Sequence, residues 1–234
     1  MKLYYDLSAC SLSPHIVLRE AGLKFDLGWV DLKNLKTASG NDFDHINPKG
    51  YVPVLELDDG QFLTEGAPLV QYIADLVPEK KLIPPIGSIE RYRVAEWLSF
   101  TSAELHRGFT PLFNKDLPSE LLNAARKKLF GRFDYLETHL KGRKYLMGDN
   151  FTVADAYCFT ILNWDQFVDL RLDRWPALKT YVARIKARSK AQEAMQAEEK
   201  KFLGRKMKSR RFWIRNYWEG KLTKERQLIY CFKF

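Results

Sequence analysis

Residues 52–66 read Val-Pro-Val-Leu-Glu-Leu-Asp-Asp-Gly-Gln-Phe-Leu-Thr-Glu-Gly. Two short apolar runs, 54–57 and 61–63, flank Asp59-Gly60. An Asp-Gly pair between such runs predicts two antiparallel strands joined by a tight turn, because glycine supplies the left-handed backbone the turn needs. A helix over 65–76 is expected next, with Thr64 as its N-cap and Pro68 in its first turn. Val52-Pro53 stands directly before the first of these strands. It is either a simple turn or a cis peptide that leaves the valine N–H and C=O available to a ligand, and the residues alone leave both open. Thr64-Glu65-Gly66 is likewise two things at once: an acidic first turn on a surface helix, or a helix N-terminus that receives a carboxylate while Glu65 pairs with an ammonium.

Upstream, Leu3-Tyr4-Tyr5 and residues 26–30 are strand candidates, separated by a helical stretch over 11–22 that Gly22 closes. Strand, helix, strand, hairpin, helix is the order of a thioredoxin-like domain. Cys10-Ser11-Leu12-Ser13 falls between the first strand and the first helix, where unpaired N–H groups and the helix dipole favour negative charge. A thiol there is expected to have a lowered pKa, although a buried, inert cysteine has the same local sequence.

Downstream, Val77-Pro78-Glu79-Lys80-Lys81-Leu82-Ile83-Pro84-Pro85-Ile86-Gly87 suits a linker. Beyond it the pattern is helical throughout. Leu122, Ala125, Leu129, Phe133, Leu136 and Leu140 recur at spacings of three and four, as do Val153, Tyr157, Ile161, Trp164 and Val168. Thr152-Val153-Ala154-Asp155 is an N-capping box with aspartate in place of the usual Glu or Gln, read as a folding signal. Residues 201–234 hold 11 of the 38 basic and 2 of the 29 acidic side chains, so the net charge of +9 lies in that tail and the first 200 residues are neutral. Nucleic-acid or anionic-lipid binding is therefore expected only of this basic, aromatic tail. Cys10, Cys158 and Cys231 make no paired spacing, which excludes a disulfide framework and a zinc motif. No apolar run nears the roughly 20 residues of a membrane span, so a cytoplasmic location is expected.

Together these stretches, with Ala9-Cys10-Ser11-Leu12-Ser13-Pro14-His15, residues 47–53, Leu63-Thr64-Glu65-Gly66, Glu104-Leu105-His106-Arg107-Gly108-Phe109 and Phe151-Thr152-Val153-Ala154-Asp155-Ala156, resemble the bacterial beta-class glutathione transferases. The resemblance runs from Met1 to about residue 200. It implies a thioredoxin-like glutathione-binding domain (1–80), a linker (81–87), an all-helical substrate and dimer domain (88–200) and an extension (201–234). It implies a homodimer that attaches the glutathione thiolate to hydrophobic electrophiles in detoxification, with glutathione as co-substrate and no metal. Disulfide exchange through Cys10 and a non-catalytic binding protein are the alternatives. The residues it assigns are Cys10, His106, Ser11 and Tyr5 for catalysis, with Cys10 near the glutathione sulfur. Lys36, Val52, a cis-Pro53, Glu65, Gly66, Ser99, Glu104, His106 and Arg107 bind glutathione, and Phe109 and Trp164 face the second substrate. The chain departs from the commonest pattern at Leu35 (lysine), Tyr51 (glutamine) and Ser99 (asparagine), which leaves Lys36 as the cation for the glycyl carboxylate.

Overall fold

The computed structural model describes residues 1–114 and 116–206. Strand β1 (Lys2–Tyr5) runs parallel to β2 (Asp26–Asp31), which carries β3 (Lys36–Thr37) antiparallel on its outer edge. On the other side of β1 lie β4 (Val54–Glu56) and β5 (Phe62–Thr64), both antiparallel, giving the order β3-β2-β1-β4-β5. The hairpin expected from Asp59-Gly60 is present: Leu57 N–H donates to Gln61 C=O at 2.8 Å, and Gly60 sits at φ +84°. Helix α1 (Leu12–Ala21) joins β1 to β2 and ends at Gly22, whose φ of +71° lets its N–H turn back onto the Arg19 and Leu18 carbonyls.

Helix α2 (Gly66–Asp75) begins differently from the expectation. Thr64 is the last residue of β5, and Glu65 occupies the N-cap position at φ +71°, ψ 130° with no side-chain cap. The strand persists one residue too far for Thr64 to turn its hydroxyl onto the helix, so the chain enters α2 through a sparsely populated backbone conformation at Glu65.

A 3₁₀ turn (Pro78–Lys80) and an irregular stretch lead to α3 (Ile89–Phe100), capped by Ser88, whose Oγ accepts from Arg91 N–H at 3.2 Å. The same helical rod continues through a π-helical segment (Thr101–His106) into α4 (Arg107–Phe109) and a 3₁₀ turn (Thr110–Phe113). Then come α5 (Ser119–Leu140), α6 (Val153–Leu162), α7 (Pro176–Lys186) and α8 (Ser189–Lys206). Every residue of α6 is buried, so it is the axial helix of this half. Its capping box forms as expected: Asp155 accepts from Thr152 N–H at 2.8 Å, and also from Leu146 N–H at 2.9 Å and the Tyr181 hydroxyl at 3.0 Å. The basic aromatic extension read over 201–234, with its possible nucleic-acid or lipid partner, lies outside the described residues except for the backbone of 201–206, which belongs to α8.

One apolar cluster runs through both halves, including Leu12, Ile16 and Leu69 from the first and Val94, Phe133, Phe159 and Trp164 from the second. Polar clasps cross the same boundary. Arg91 grips the Asp75 carboxylate with two nitrogens at 2.7 and 2.8 Å, and Arg188 grips Glu20 at 2.7 and 3.0 Å. On the α1–α8 contact, His15 Nδ1 lies 2.9 Å from Glu198 Oε1, both side chains being buried.

Candidate active site

The loop between β1 and α1 carries Cys10. Three side chains shape it. Ser11 donates to Asp6 C=O at 3.2 Å and accepts from Asp6 N–H at 3.3 Å, closing the loop on itself. Trp164 donates its indole N–H to Ser8 C=O at 2.9 Å, while Ser8 N–H donates to Glu198 at 3.4 Å. Ser8 thus holds a φ of +60° with both its N–H and its C=O engaged by the helical half.

Cys10 is almost wholly buried, and its thiol donates to Val52 C=O at 3.3 Å. The Val52-Pro53 bond is cis, as the resemblance implied. The lowered thiol pKa expected from the helix start does not occur. Burial pushes the Cys10 thiol up to about 12, and the nearby Glu65 carboxylate adds to the rise, outweighing the N–H groups of Cys10 and Ser11. At neutral pH this cysteine is a thiol.

Around Cys10 the structure gathers Glu65, Gly66, His106 and Tyr157. Glu65 forms an exposed ion pair with Lys49 at 2.8 Å, and Lys49 also donates to Thr64 Oγ1 at 3.1 Å. His106 Nδ1 lies 3.0 Å from the Tyr157 hydroxyl, and its ring meets Trp164 edge-on with centroids 4.9 Å apart. Burial and the Arg107 charge push the His106 pKa down to about 4, so the imidazole is neutral at pH 7. Tyr157 is buried, and burial pushes its phenol pKa well above the usual value. Cys10 and Glu65 act electrostatically on it, and a Cβ at Gly66 would lie 3.4 Å from its ring. Tyr157 is therefore the hub of the group, touching the second half at His106 and the first at Gly66. Residue reading missed it: within an apolar helical repeat a tyrosine looks like core. Lys49 was read only as part of a motif.

The other sequence candidates fall in several places. Tyr5 is fully buried and packs on the His15 ring, with centroids 6.4 Å apart. Lys36 pairs with Asp42 at 2.5 Å on the surface. Glu104 pairs with Arg132 at 2.7 Å, and Ser99 and Arg107 are exposed on the long helical rod. Phe109 and Trp164 are fully buried and lie edge to face, centroids 6.1 Å apart, with Phe113 5.4 Å from Trp164. These rings form a packed support beneath His106. A cavity of about 580 Å³ lined by Arg93, Trp97, Tyr135 and His139, and a groove of about 760 Å³ lined by Arg19, Phe25 and Lys200, share no residue with the Cys10–Tyr157 group. Among the described residues no cluster of His, Cys, Asp or Glu has a metal-binding arrangement.

Two family models match the chain: "Glutathione S-transferase, N-terminal domain" over residues 7–76 and "Glutathione S-transferase, C-terminal domain" over residues 100–189. The glutathione S-transferase GstA of Escherichia coli O157:H7 is 44% identical over 198 residues, which cover 85% of this chain and 98% of that protein. Among solved structures, the ternary complex of BphK, a bacterial transferase of the same kind, superposes with a TM-score of 0.84 at 51% identity, covering 85% of this chain and 100% of the other. A bacterial beta-class glutathione S-transferase of Sphingomonas chungbukensis superposes with a TM-score of 0.81 at 40% identity, covering 85% and 98%.

Proposed function

The chain belongs to the glutathione S-transferase family, in its bacterial beta-class branch, and from that premise we propose that glutathione lies across the Cys10, Val52, Glu65 and His106 group. In this reading the Val52 peptide pairs with the backbone of the glutathione cysteine ahead of cis-Pro53. Glu65 and the N-terminus of α2 at Gly66 take the ammonium and carboxylate of the γ-glutamyl end. Lys49, already on Glu65, supplies a further positive charge beside that carboxylate. Lys36 reaches the glycyl carboxylate by exchanging Asp42 for it.

The reaction joins the glutathione sulfur to an electrophilic carbon. The thiol proton leaves to solvent, the S–C bond forms, and the electron pair of the breaking bond departs with the leaving group. The protein lowers the barrier by stabilising the thiolate and holding a small hydrophobic electrophile within reach of it. A neutral His106 acts here by hydrogen bonding, since protonation near pH 4 leaves it no positive charge at pH 7. The observation that carries the assignment is the Cys10 thiol at 3.3 Å from Val52 C=O with a pKa of about 12. Burial holds Cys10 as a neutral thiol at pH 7, so this cysteine serves as a hydrogen-bonding neighbour of the glutathione sulfur and not as the attacking group. The exposed Phe62, Ile89 and Tyr92 support a homodimer, in which Ser99 and Glu104 reach the partner's ligand.

The test is conjugation of glutathione to an aryl halide, run beside glutathione–hydroxyethyl disulfide exchange, with the wild type and Cys10→Ala. Conjugation and exchange are each expected to fall by no more than about tenfold. Loss of either reaction altogether would make Cys10 its nucleophile. Absence of conjugation and of glutathione binding in the wild type would leave a non-catalytic binding protein.

A further inference from the structure

We infer that Tyr157 is a positioning residue that fixes the His106 imidazole with its proton on Nε2, so that the ring meets the glutathione sulfur as a hydrogen-bond donor; this rests on the site proposed above. The contact is close, 3.0 Å from the Tyr157 hydroxyl to His106 Nδ1. A neutral imidazole has one N–H and one lone pair, and the partner on one nitrogen sets the proton on the other.

Which way the hydrogen bond runs follows from the surroundings of the phenol. Burial, with the Glu65 carboxylate adding to it, holds the proton on the phenol oxygen. Nδ1 is the acceptor that lies within hydrogen-bond distance of that buried hydroxyl, so the phenol gives its O–H to Nδ1. The imidazole proton then sits on Nε2. Ser102 and His106 both belong to the π-helical segment, while Tyr157 stands on the fully buried α6, which its capping box anchors one turn earlier at Thr152. A wider helical turn set against a buried axial helix thus brings the imidazole onto the phenol. Packing restrains the phenol through Gly66 on one side and the His106 ring, centroids 6.2 Å apart, on the other.

The consequence is a division of labour. His106 is the group beside sulfur, and Tyr157 determines whether it arrives as donor or acceptor. An acceptor at that position would repel a thiolate and raise the pKa of the bound thiol.

The experiment reads the tautomer directly. The chain has four histidines, so ¹⁵N NMR of histidine-labelled protein, with His106→Asn to assign the resonance, reports which ring nitrogen carries the proton. The expected wild-type result is a protonated Nε2 and a bare Nδ1, and in Tyr157→Phe this preference is lost. In the same variant kcat/KM for aryl halide conjugation falls by about three- to tenfold at neutral pH. The pH profile shifts to higher pH while KM for glutathione stays within about twofold. Adding Tyr157→Phe to His106→Asn produces no further loss, because the two act as a unit. A wild-type proton on Nδ1, or additive effects in the double variant, would overturn the inference alone. Failure of the wild type to bind glutathione would remove the site beneath it.

Discussion

Asp6 places a half-buried carboxyl between the Trp29 indole N–H, at 3.0 Å, and the Leu7 peptide N–H, at 2.8 Å. Burial outweighs these two donors and, with the nearby Glu198 charge, raises its pKa from 3.8 to about 7. The folded protein therefore holds a proton on Asp6 that the unfolded chain has released, over the window between those two values. Stability falls as pH rises through that window and levels off above it. In Asp6→Asn the urea unfolding free energy is expected to fall less steeply between pH 5 and 6.5, by up to about 1.4 kcal/mol per pH unit; parallel slopes for the two proteins would refute this. Residues of this kind mark how far the site is legible in sequence. Cys10, Val52-Pro53 and Glu65-Gly66 sit on local signals, a helix start, an X-Pro before a strand and a second helix start, so a linear reading finds them. Tyr157 owes its place to contacts with residues 51 and 91 positions earlier in the chain, and no local pattern encodes that. The state of Cys10 was equally hidden, since a helix start argues for a thiolate and only burial reveals the thiol.

The long rod from 89 to 113 changes from α to π to α to 3₁₀ geometry, and its contact with α5 depends on one missing side chain. A Cβ on Gly108 would lie well inside van der Waals distance of Leu129 Cδ1, a fully buried group. Gly108→Ala is therefore expected to lower thermal stability by about 1–3 kcal/mol through overpacking. Glycine to alanine in a helix otherwise stabilises by up to about 1 kcal/mol, so a raised melting temperature would show that α5 can move away. At this scale sequence was most informative. The hairpin at Asp59-Gly60, the glycine closure of α1 and the capping box of α6 are each encoded in a few adjacent residues. The start of α2 was not, because whether Thr64 ends a strand or caps a helix depends on its pairing with Val54 across the sheet. The π segment was also invisible, as apolar spacing cannot distinguish one wider turn from an α-helical one.

Across the whole molecule the two halves are bonded as one body. Apolar packing, the Arg91–Asp75 and Arg188–Glu20 clasps and the buried His15–Glu198 contact all cross between them. Urea unfolding followed by the environment of Trp29 in the sheet is expected to coincide with that of Trp97 and Trp175 in the helical half, seen by single-tryptophan fluorescence. Separate midpoints would mean that each half folds alone. The grip on Ser8 has a further consequence, in the time order of synthesis. Its peptide is held by Trp164 and Glu198, which lie 156 and 190 residues later. On the ribosome the loop bearing Cys10 emerges well before its two anchors, which are made only 156 and 190 residues later. The N-terminal half leaves the exit tunnel with its sheet specified and its reactive loop unset, so a nascent chain stalled before residue 198 is expected not to be retained on immobilised glutathione.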